Sequence, residues 1–296
     1  MKLKNFSFAI LSAFLLSINT FAQEAQEAPD KSADELAKEL ANPNATLGTM
    51  AFPIDFTFYN GDLPDANKQN SLSINFQPSL PIPIASGVNL FVRPFVPFII
   101  SQPYPGVNGF EQKKVNLGNV SADVAFGKTW PSKTITILGV FAGFPTATDK
   151  GLRSAETTVG PEFMMAQIFR WGVIGAMVNH AWGVGKSDDG VSDDDFVMMG
   201  PRPTHASVTA GQYFYVVNLK NAWQITGQPT WAYNHNAESG NKFTFPIATG
   251  VNKVTHIGKL PVKLTAQYWY YVASPDAFGA QHQIRLQIAP VVKLPW

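Results

Sequence analysis

The stretch SLSINFQPSLPI, from Ser71 to Ile82, decides the fold class, because its residues alternate between polar and apolar. On an extended chain Leu72, Ile74 and Phe76 project to one face, and the polar residues between them, such as Asn75, project to the other. A period of two over about ten residues predicts a β-strand with one apolar and one polar face.

The same period recurs from Leu47 almost to the C-terminus and predicts twelve strands. They are Leu47–Tyr59, Ser71–Ile82, Val88–Ile100, Val120–Trp130, Thr134–Phe144, Thr157–Ile168, Gly172–Trp182, Ser207–Val217, Ala222–Asn234, Lys242–Val254, Val262–Val272 and His282–Val292. Most are about as long as, or slightly longer than, the 9 to 11 residues that a tilted strand needs to cross the apolar layer of a membrane.

The connections between these strands alternate in length. The odd-numbered connections are long: Asn60–Gln69, Ser101–Asn119, Pro145–Glu156, Gly183–Ala206, His235–Asn241 and Ala273–Gln281. The others are short, except for the intermediate Thr255–Pro261. An even number of strands with long loops at one end and tight turns at the other is typical of an outer-membrane barrel, and a soluble sandwich rarely sorts its loops in this way.

Aromatic residues near the strand ends also favour a barrel, because such residues form girdles at the lipid interface. They are Trp130, Trp171, Trp182, Trp223, Trp231, Tyr233 and Trp296. Proline removes a ladder donor, so prolines inside strands are expected at bulges or close to the membrane boundary. These prolines are Pro78, Pro81, Pro94, Pro97, Pro161, Pro229, Pro246 and Pro290.

The composition suits a chain that does not present its whole surface to water. Of 296 residues, 45% are hydrophobic and only 15% are charged, whereas about a quarter of an ordinary soluble domain is charged. Past residue 30, no apolar run reaches the roughly 18 residues that a transmembrane helix needs. The lack of Cys excludes disulfides and thiol chemistry, and a formal charge of +1 argues against a nucleic-acid partner.

The N-terminus predicts export. Lys2 and Lys4 precede the apolar stretch Phe6–Ile18, and Thr20-Phe21-Ala22 forms a cleavage site of the small-x-small type. Residues 1–22 are therefore expected to be a signal peptide.

A short helix is predicted next, at Ser32–Leu40, where Ser32 stands three residues before Glu35 as in a capping box. Residues 23–46 would form a periplasmic leader that contains this helix, and residues 47–296 would form the barrel. The helix has one narrow apolar stripe, so it is expected either to rest on the rim of the barrel or to fold back into it.

The strand pattern also predicts which side chains line the lumen. On the faces opposite the apolar ones lie Asp55, Arg93, Asp123, Glu162, Lys263, Trp269 and Arg285. The charges among them either line a pore or neutralise one another across the interior. Because the first and last strands must pair to close a barrel, Asp55 and Arg285 are expected to be in contact.

Catalytic and metal-binding patterns are scarce, so the sequence predicts no enzyme and no cofactor. A membrane-embedded hydrolase would need His180 or His205 beside Ser207. The acidic run of the longest loop is a weak candidate for a metal site, because its carboxylates would suit Ca²⁺. The alternative is that the run is solvated or bridges lipopolysaccharide. The run contains Asp188, Asp189, Asp193, Asp194 and Asp195.

Four segments resemble a family of Gram-negative outer-membrane proteins. They are Ser32–Met50 (SADELAKELANPNATLGTM), Phe144–Asp149 (FPTATD), Val178–Gly183 (VNHAWG) and Pro275–Val292 (PDAFGAQHQIRLQIAPVV). The family is catalogued as transporters of the MetA pathway of phenol degradation, and some members are mislabelled neuromedin U. The resemblance implies an outer-membrane barrel that passes small organic molecules, hydrophobic or aromatic ones among them, and it supplies no catalytic or ligand residues.

The sequence thus predicts an all-β protein, an antiparallel up-and-down barrel of about twelve strands that serves as an outer-membrane channel for small organic solutes. A structural or surface-interaction barrel with a plugged lumen is the first alternative, and the hydrolase is the second. Expected partners are outer-membrane lipid, lipopolysaccharide, a small solute and the outer-membrane assembly machinery. The last of these is expected because the alternating C-terminal strand before Trp296 resembles the assembly signal of outer-membrane proteins. No nucleic-acid partner is expected.

Overall fold

The chain forms a closed antiparallel β-barrel of twelve strands with one short helix at its N-terminal end. A computed structural model describes residues 31–106, 108–186 and 205–296. The predicted signal peptide and the acidic run at 188–195 lie outside the described residues. The predicted fold class is confirmed.

One helix and fourteen strand segments follow each other along the described chain. They are α1 (Ala33–Ala41), β1 (Gly48–Asn60), β2 (Asn70–Ala85), β3 (Val88–Gly106), β4 (Gly109–Leu117), β5 (Ser121–Thr129), β6 (Thr134–Gly143), β7 (Glu156–Ile168), β8 (Gly172–Lys186), β9 (Ser207–Asn218), β10 (Trp223–Gly227), β11 (Thr230–Asn234), β12 (Phe243–Ile257), β13 (Leu260–Ala273) and β14 (Gly279–Val292). Each predicted strand overlaps one strand of the barrel.

Fourteen segments make twelve barrel strands because two of these strands are interrupted. β4 and β5 both pair with β3, and β10 and β11 both pair with β9 and β12. The remaining strands pair with their neighbours in the chain, and β1 pairs with β14 to close the barrel. The described strands thus close into one ring, as a sheet in a membrane requires, and β4 lies outside this ring order and pairs with β3 alone.

The two faces of the barrel have opposite chemistry. Apolar side chains such as Phe126, Leu138 and Met165 point outward and are more than half exposed. Polar side chains such as Asn75 and Gln224 point inward and are buried. A soluble domain hides its apolar face, so this arrangement fits a barrel whose outer band meets lipid.

One predicted loop is wrong. The stretch Ser101–Asn119 is mostly a hairpin, in which β3 continues to Gly106 and β4 returns from Gly109. Pro103 and Pro105, which remove ladder donors, stand in this hairpin opposite Gln112 and Phe110.

Prolines interrupt the ladder at some of the predicted places. The register between β12 and β13 shifts at Pro246, and Pro229 lies in the break between β10 and β11. Pro81 and Pro290, by contrast, stand in regular register opposite Phe91 and Val262. Some in-strand prolines therefore lie at irregularities of the ladder, and for the others the predicted position close to the membrane boundary stays a prediction.

The helix α1 begins at the predicted capping box. The Ser32 Oγ accepts a hydrogen bond from the Glu35 N–H at 3.3 Å, and the Glu35 carboxylate accepts one from the Ser32 N–H at 2.9 Å. The hydrogen bonds from the backbone N–H and the hydroxyl of Ser32 hold the pKa of Glu35 below its usual value. Among the described residues, no helix has both the length and the apolar character needed to cross a membrane.

Candidate functional site: the barrel interior

The closing strand pair places a bidentate ion pair inside the barrel. Asp55 on β1 stands directly opposite Arg285 on β14. The Arg285 Nε and Nη2 atoms donate to the two Asp55 carboxylate oxygens at 2.6 and 2.8 Å. The contact predicted from the need to close the barrel is therefore present, and its fork geometry is the strong form of this interaction.

Aromatic and amide side chains hold this pair in place. The Arg285 guanidinium lies 4.4 Å from the centroid of the buried Trp269 ring, within cation–π range. Gln283 donates to the Asp55 carboxylate at 3.2 Å and accepts from the Tyr271 hydroxyl at 2.9 Å. Trp269 and Tyr271 thus belong to a packed polar network and do not form an open aromatic surface.

A second charge cluster stands on the other side of the interior. The Arg93 Nε donates to Asp123 at 2.7 Å, and the Arg93 Nη2 donates to Glu162 at 2.5 Å. Arg93 on β3 reaches past β5 and β6 to Glu162 on β7, which stands directly opposite Gly139. One guanidinium therefore serves two carboxylates, and the Glu162 carboxylate is almost fully buried.

Below this cluster, towards the short turns, the interior wall is apolar. We call the following residues the apolar patch: Phe91, Ala125, Ile135, Ile137, Met164, Ala166, Val173 and Val216. They lie on β3 and on β5 to β9, and Ala41 at the end of α1 packs against them. The sequence analysis did not predict this patch. Alternation indicates which residues face the interior, but it does not indicate whether an interior residue is polar or apolar.

The segment from α1 to Asn44 crosses the short-turn mouth of the barrel. At one wall, Asp34 accepts from the Ala222 N–H at 2.7 Å, and the Gln224 side chain donates to the Ala37 carbonyl at 2.8 Å. At the other wall, the Asn44 side chain donates to the Gly87 carbonyl at 3.1 Å and to the Thr129 hydroxyl at 2.7 Å.

These two anchors are on opposite sides of the ring of strands. Going round the barrel from β3 to β10, five strands intervene in either direction. The nine-residue helix spans about 13 Å, and Leu36 and Ala37 pack on Ala222 and Val254. Of the two predicted positions for the helix, the structure thus places it within the mouth.

Lys263 lies on the same interior face as Thr265 and Gln267, opposite Val254 and Ala289. Among the described residues, its ammonium has no carboxylate within ion-pair distance. Asp55, Arg93, Asp123, Glu162, Lys263, Trp269 and Arg285 therefore all project inward, but as two paired clusters and one unpaired lysine.

The residues of the hydrolase alternative lie at the long-loop end of β8 and β9. Ser207 Oγ is 3.5 Å from His180 Nε2, and His180 Nδ1 is 2.8 Å from the Thr209 hydroxyl. His205 instead contacts Glu156 at 2.9 Å. His180 thus meets a serine but is oriented by a hydroxyl group and not by a carboxylate. Within the part of the chain described by the structure, no cluster of three metal ligands is present.

Three solved structures resemble this barrel. An outer membrane channel from Pseudomonas putida F1 superposes with a TM-score of 0.63 and 12% identity, over 83% of this chain and 95% of that chain. The NanC porin gives 0.49 and 10%, over 82% and 100% of the two chains, and the beta domain of the Bordetella autotransporter BrkA gives 0.40 and 11%, over 83% and 100%.

No protein-family model and no curated protein matches the chain. The comparisons support neither the name of the phenol-degradation family nor the statement that some of its members are mislabelled neuromedin U. At 12% identity, the match to the Pseudomonas channel concerns the fold. The chain therefore shares its closed antiparallel barrel with an outer membrane channel.

Proposed function

We propose that the protein is an outer-membrane channel for small organic solutes, including hydrophobic or aromatic ones. The observation that carries the proposal is the pairing of an apolar outer face with an interior that holds buried charges and amides. Buried ion pairs contribute little to folding stability compared with apolar packing. We therefore attribute the polar interior to the passage of solutes. The barrel it shares with a known channel supports the same function.

In this proposal the short-turn end faces the periplasm and α1 is a movable plug. Polar contacts at two walls and a small apolar contact around Leu36 hold the helix in place. A helix of nine residues is too short to be stable alone, so small changes in these contacts would release it. The long loops would face outward and meet solutes and lipopolysaccharide first.

Planar bilayers test the proposal. Folded, heat-modifiable barrel is inserted, and single-channel conductance is recorded with and without phenol or benzyl alcohol, together with uptake of the same solutes into vesicles. We expect measurable conductance and faster solute uptake than in protein-free vesicles. A correctly folded barrel that shows neither conductance nor uptake would contradict the channel function.

A second candidate is a structural or surface-interaction barrel with a permanently closed lumen. The packing of Ala41 on the apolar patch favours it, because this contact fills part of the mouth with close-packed side chains. Removal of residues 31–45 separates the two candidates. A channel would conduct more after this deletion, whereas a structural barrel would lose stability and remain closed.

A further inference from the structure

A strip of the interior wall carries buried polar atoms that have no partner. Asn252 Oδ1, Thr265 Oγ1 and Gln267 Nε2 form no hydrogen bond with any described residue. The three residues are only 4%, 6% and 3% exposed. Buried polar groups are nearly always satisfied by protein, water or a ligand, so unsatisfied atoms that lie together point to a missing partner.

The three residues are neighbours on one face of the sheet. Asn252 on β12 stands directly opposite Thr265 on β13, and Gln267 follows two residues along the same face. Lys263 precedes Thr265 by two residues on that face, and no described carboxylate pairs with it. We call Asn252, Lys263, Thr265 and Gln267 the β12–β13 strip.

The strip adjoins the Asp55–Arg285 cluster at Gln267, which stands opposite Arg285 and accepts from Trp269 Nε1 at 2.9 Å, but its unsatisfied atoms belong to neither charge cluster. The Arg285 and Arg93 guanidinium groups donate to carboxylates on other strands. Lys263 instead faces the mouth, where Val254 stands opposite it and packs with Leu36 of α1. The strip therefore ends beside the helix that closes the barrel.

The free groups of the strip are mainly donors. The Lys263 ammonium and the Gln267 amide donate, the Thr265 hydroxyl donates or accepts, and the Asn252 oxygen accepts. A cation with two further donors matches the oxygens of a carboxylate or phosphate, and such charge-assisted hydrogen bonds are the strong ones. The Asn252 oxygen would take a water or a hydroxyl group of the same solute.

We propose that the β12–β13 strip binds the anionic head, carboxylate or phosphate, of a small organic solute inside the barrel. This inference rests on the proposed channel function and narrows its solute class. The strip holds the head next to α1, at the place where the solute must displace the helix to pass. Ordered water alone is the competing occupant.

Four ligands that share one ring but differ in the head test the inference: benzoate, phenyl phosphate, benzyl alcohol and benzylammonium. Their binding to the folded barrel in neutral detergent is measured by calorimetry. We expect benzoate or phenyl phosphate to bind at least fivefold more tightly than the alcohol and the amine. The difference between benzoate and phenyl phosphate identifies the preferred anion.

Variants assign the preference to the strip. Lys263→Met should abolish it, Lys263→Arg should keep it, and Lys259→Met in the exposed β12–β13 turn should change nothing. Thr265→Val and Gln267→Leu should weaken the binding of benzoate several-fold and leave the affinity for benzyl alcohol unchanged. If Lys263→Met fails to give a heat-modifiable barrel, the Thr265 and Gln267 variants and Lys263→Arg decide the question.

Equal affinity for all four ligands in the wild type would overturn the inference and leave water as the occupant. A preference that persists in Lys263→Met together with Thr265→Val would also overturn it. Conductance and benzyl alcohol uptake are recorded on the same preparations. Normal transport without anion preference refutes only anion binding at the β12–β13 strip. A folded barrel without conductance or uptake refutes the channel function itself.

Discussion

At the scale of single residues, the interior charges differ in what their removal leaves behind. Asp55 and Arg285 form a closed one-to-one pair, whereas Arg93 serves both Asp123 and Glu162. Loss of one partner of a buried pair leaves an uncompensated charge, and this residual charge costs more than the pair contributes. The two clusters should therefore respond differently to mutation.

Arg285→Met should destabilise the barrel by about 3–5 kcal/mol, because it leaves the buried Asp55 carboxylate without a counter-charge. Unfolding by denaturant in lipid vesicles measures the loss. Asp55→Asn in the same chain should recover part of it, since the remaining amide needs only hydrogen bonds. If Arg285→Met instead leaves stability unchanged and alters conductance, Arg285 lines the solute path and contributes little to the fold.

Glu162→Gln should cost less than Arg93→Met. The first change leaves Arg93 paired with Asp123, whereas the second leaves two carboxylates of like sign close together. The same unfolding assay ranks the two variants, and Asp123→Asn provides a matched comparison for Glu162→Gln. A smaller effect of Arg93→Met would show that both carboxylates are well solvated without the guanidinium.

At the scale of elements, α1 is held by fewer contacts than the barrel strands are. The barrel strands share long ladders with two neighbours, whereas the helix is held by a handful of side-chain contacts. Elements with few buried contacts open at low free-energy cost. The helix is therefore the natural element to move when the mouth opens.

Leu36→Asp should raise the mean conductance several-fold, because a carboxylate cannot replace a leucine that is 1% exposed between Ala222 and Val254. Single-channel recording in planar bilayers measures the change. Lys38→Ala on the exposed side of the helix is the matched control and should behave as the wild type.

Protease sensitivity of residues 31–45 gives an independent readout of helix release.

The natural chain has no Cys, so a pair such as Leu36→Cys and Val254→Cys can be joined specifically by a short bifunctional thiol reagent. Joining should hold the conductance at its closed value. A released helix with unchanged conductance would show that the constriction lies elsewhere.

At the scale of the whole molecule, the interior is nearly balanced in charge. The inward charged residues that the strand pattern predicted comprise three acids and three bases: Asp55, Asp123, Glu162, Arg93, Lys263 and Arg285. Five of them are combined in the two clusters, so the field along the barrel is weak. Strong selection of ions needs an excess of one sign in the pore.

We therefore expect the reversal potential in a potassium chloride gradient to lie close to zero. Lys263→Met should shift it towards cation selectivity, because it removes a positive charge that no described carboxylate neutralises, and the exposed Lys259→Met should not. The measurement uses the same bilayers as the conductance assay. Strong anion or cation selectivity in the wild type would mean that these six charges do not cancel along the solute path.

Much of the architecture could be read from local patterns. The alternation in segments such as Ser71–Ile82 and the Ser32–Glu35 capping box depend on neighbouring residues, and both appear in the structure. The pairing of Asp55 with Arg285 also followed, because closure of a barrel fixes which strands are first and last. The β3–β4 hairpin was missed, because its prolines mask a strand that keeps its register with β4.

The sequence by itself determined the barrel, its two faces and the side on which each strand residue lies, since a period of two is a property of the extended backbone. Only the tertiary structure decided what meets across the interior. The helix anchors at Asp34 and Asn44, the triad around Arg93 and the apolar patch join residues that are remote in the chain. Periodicity assigns a face to a residue, but distances across a barrel depend on register, strand tilt and the way the ring closes.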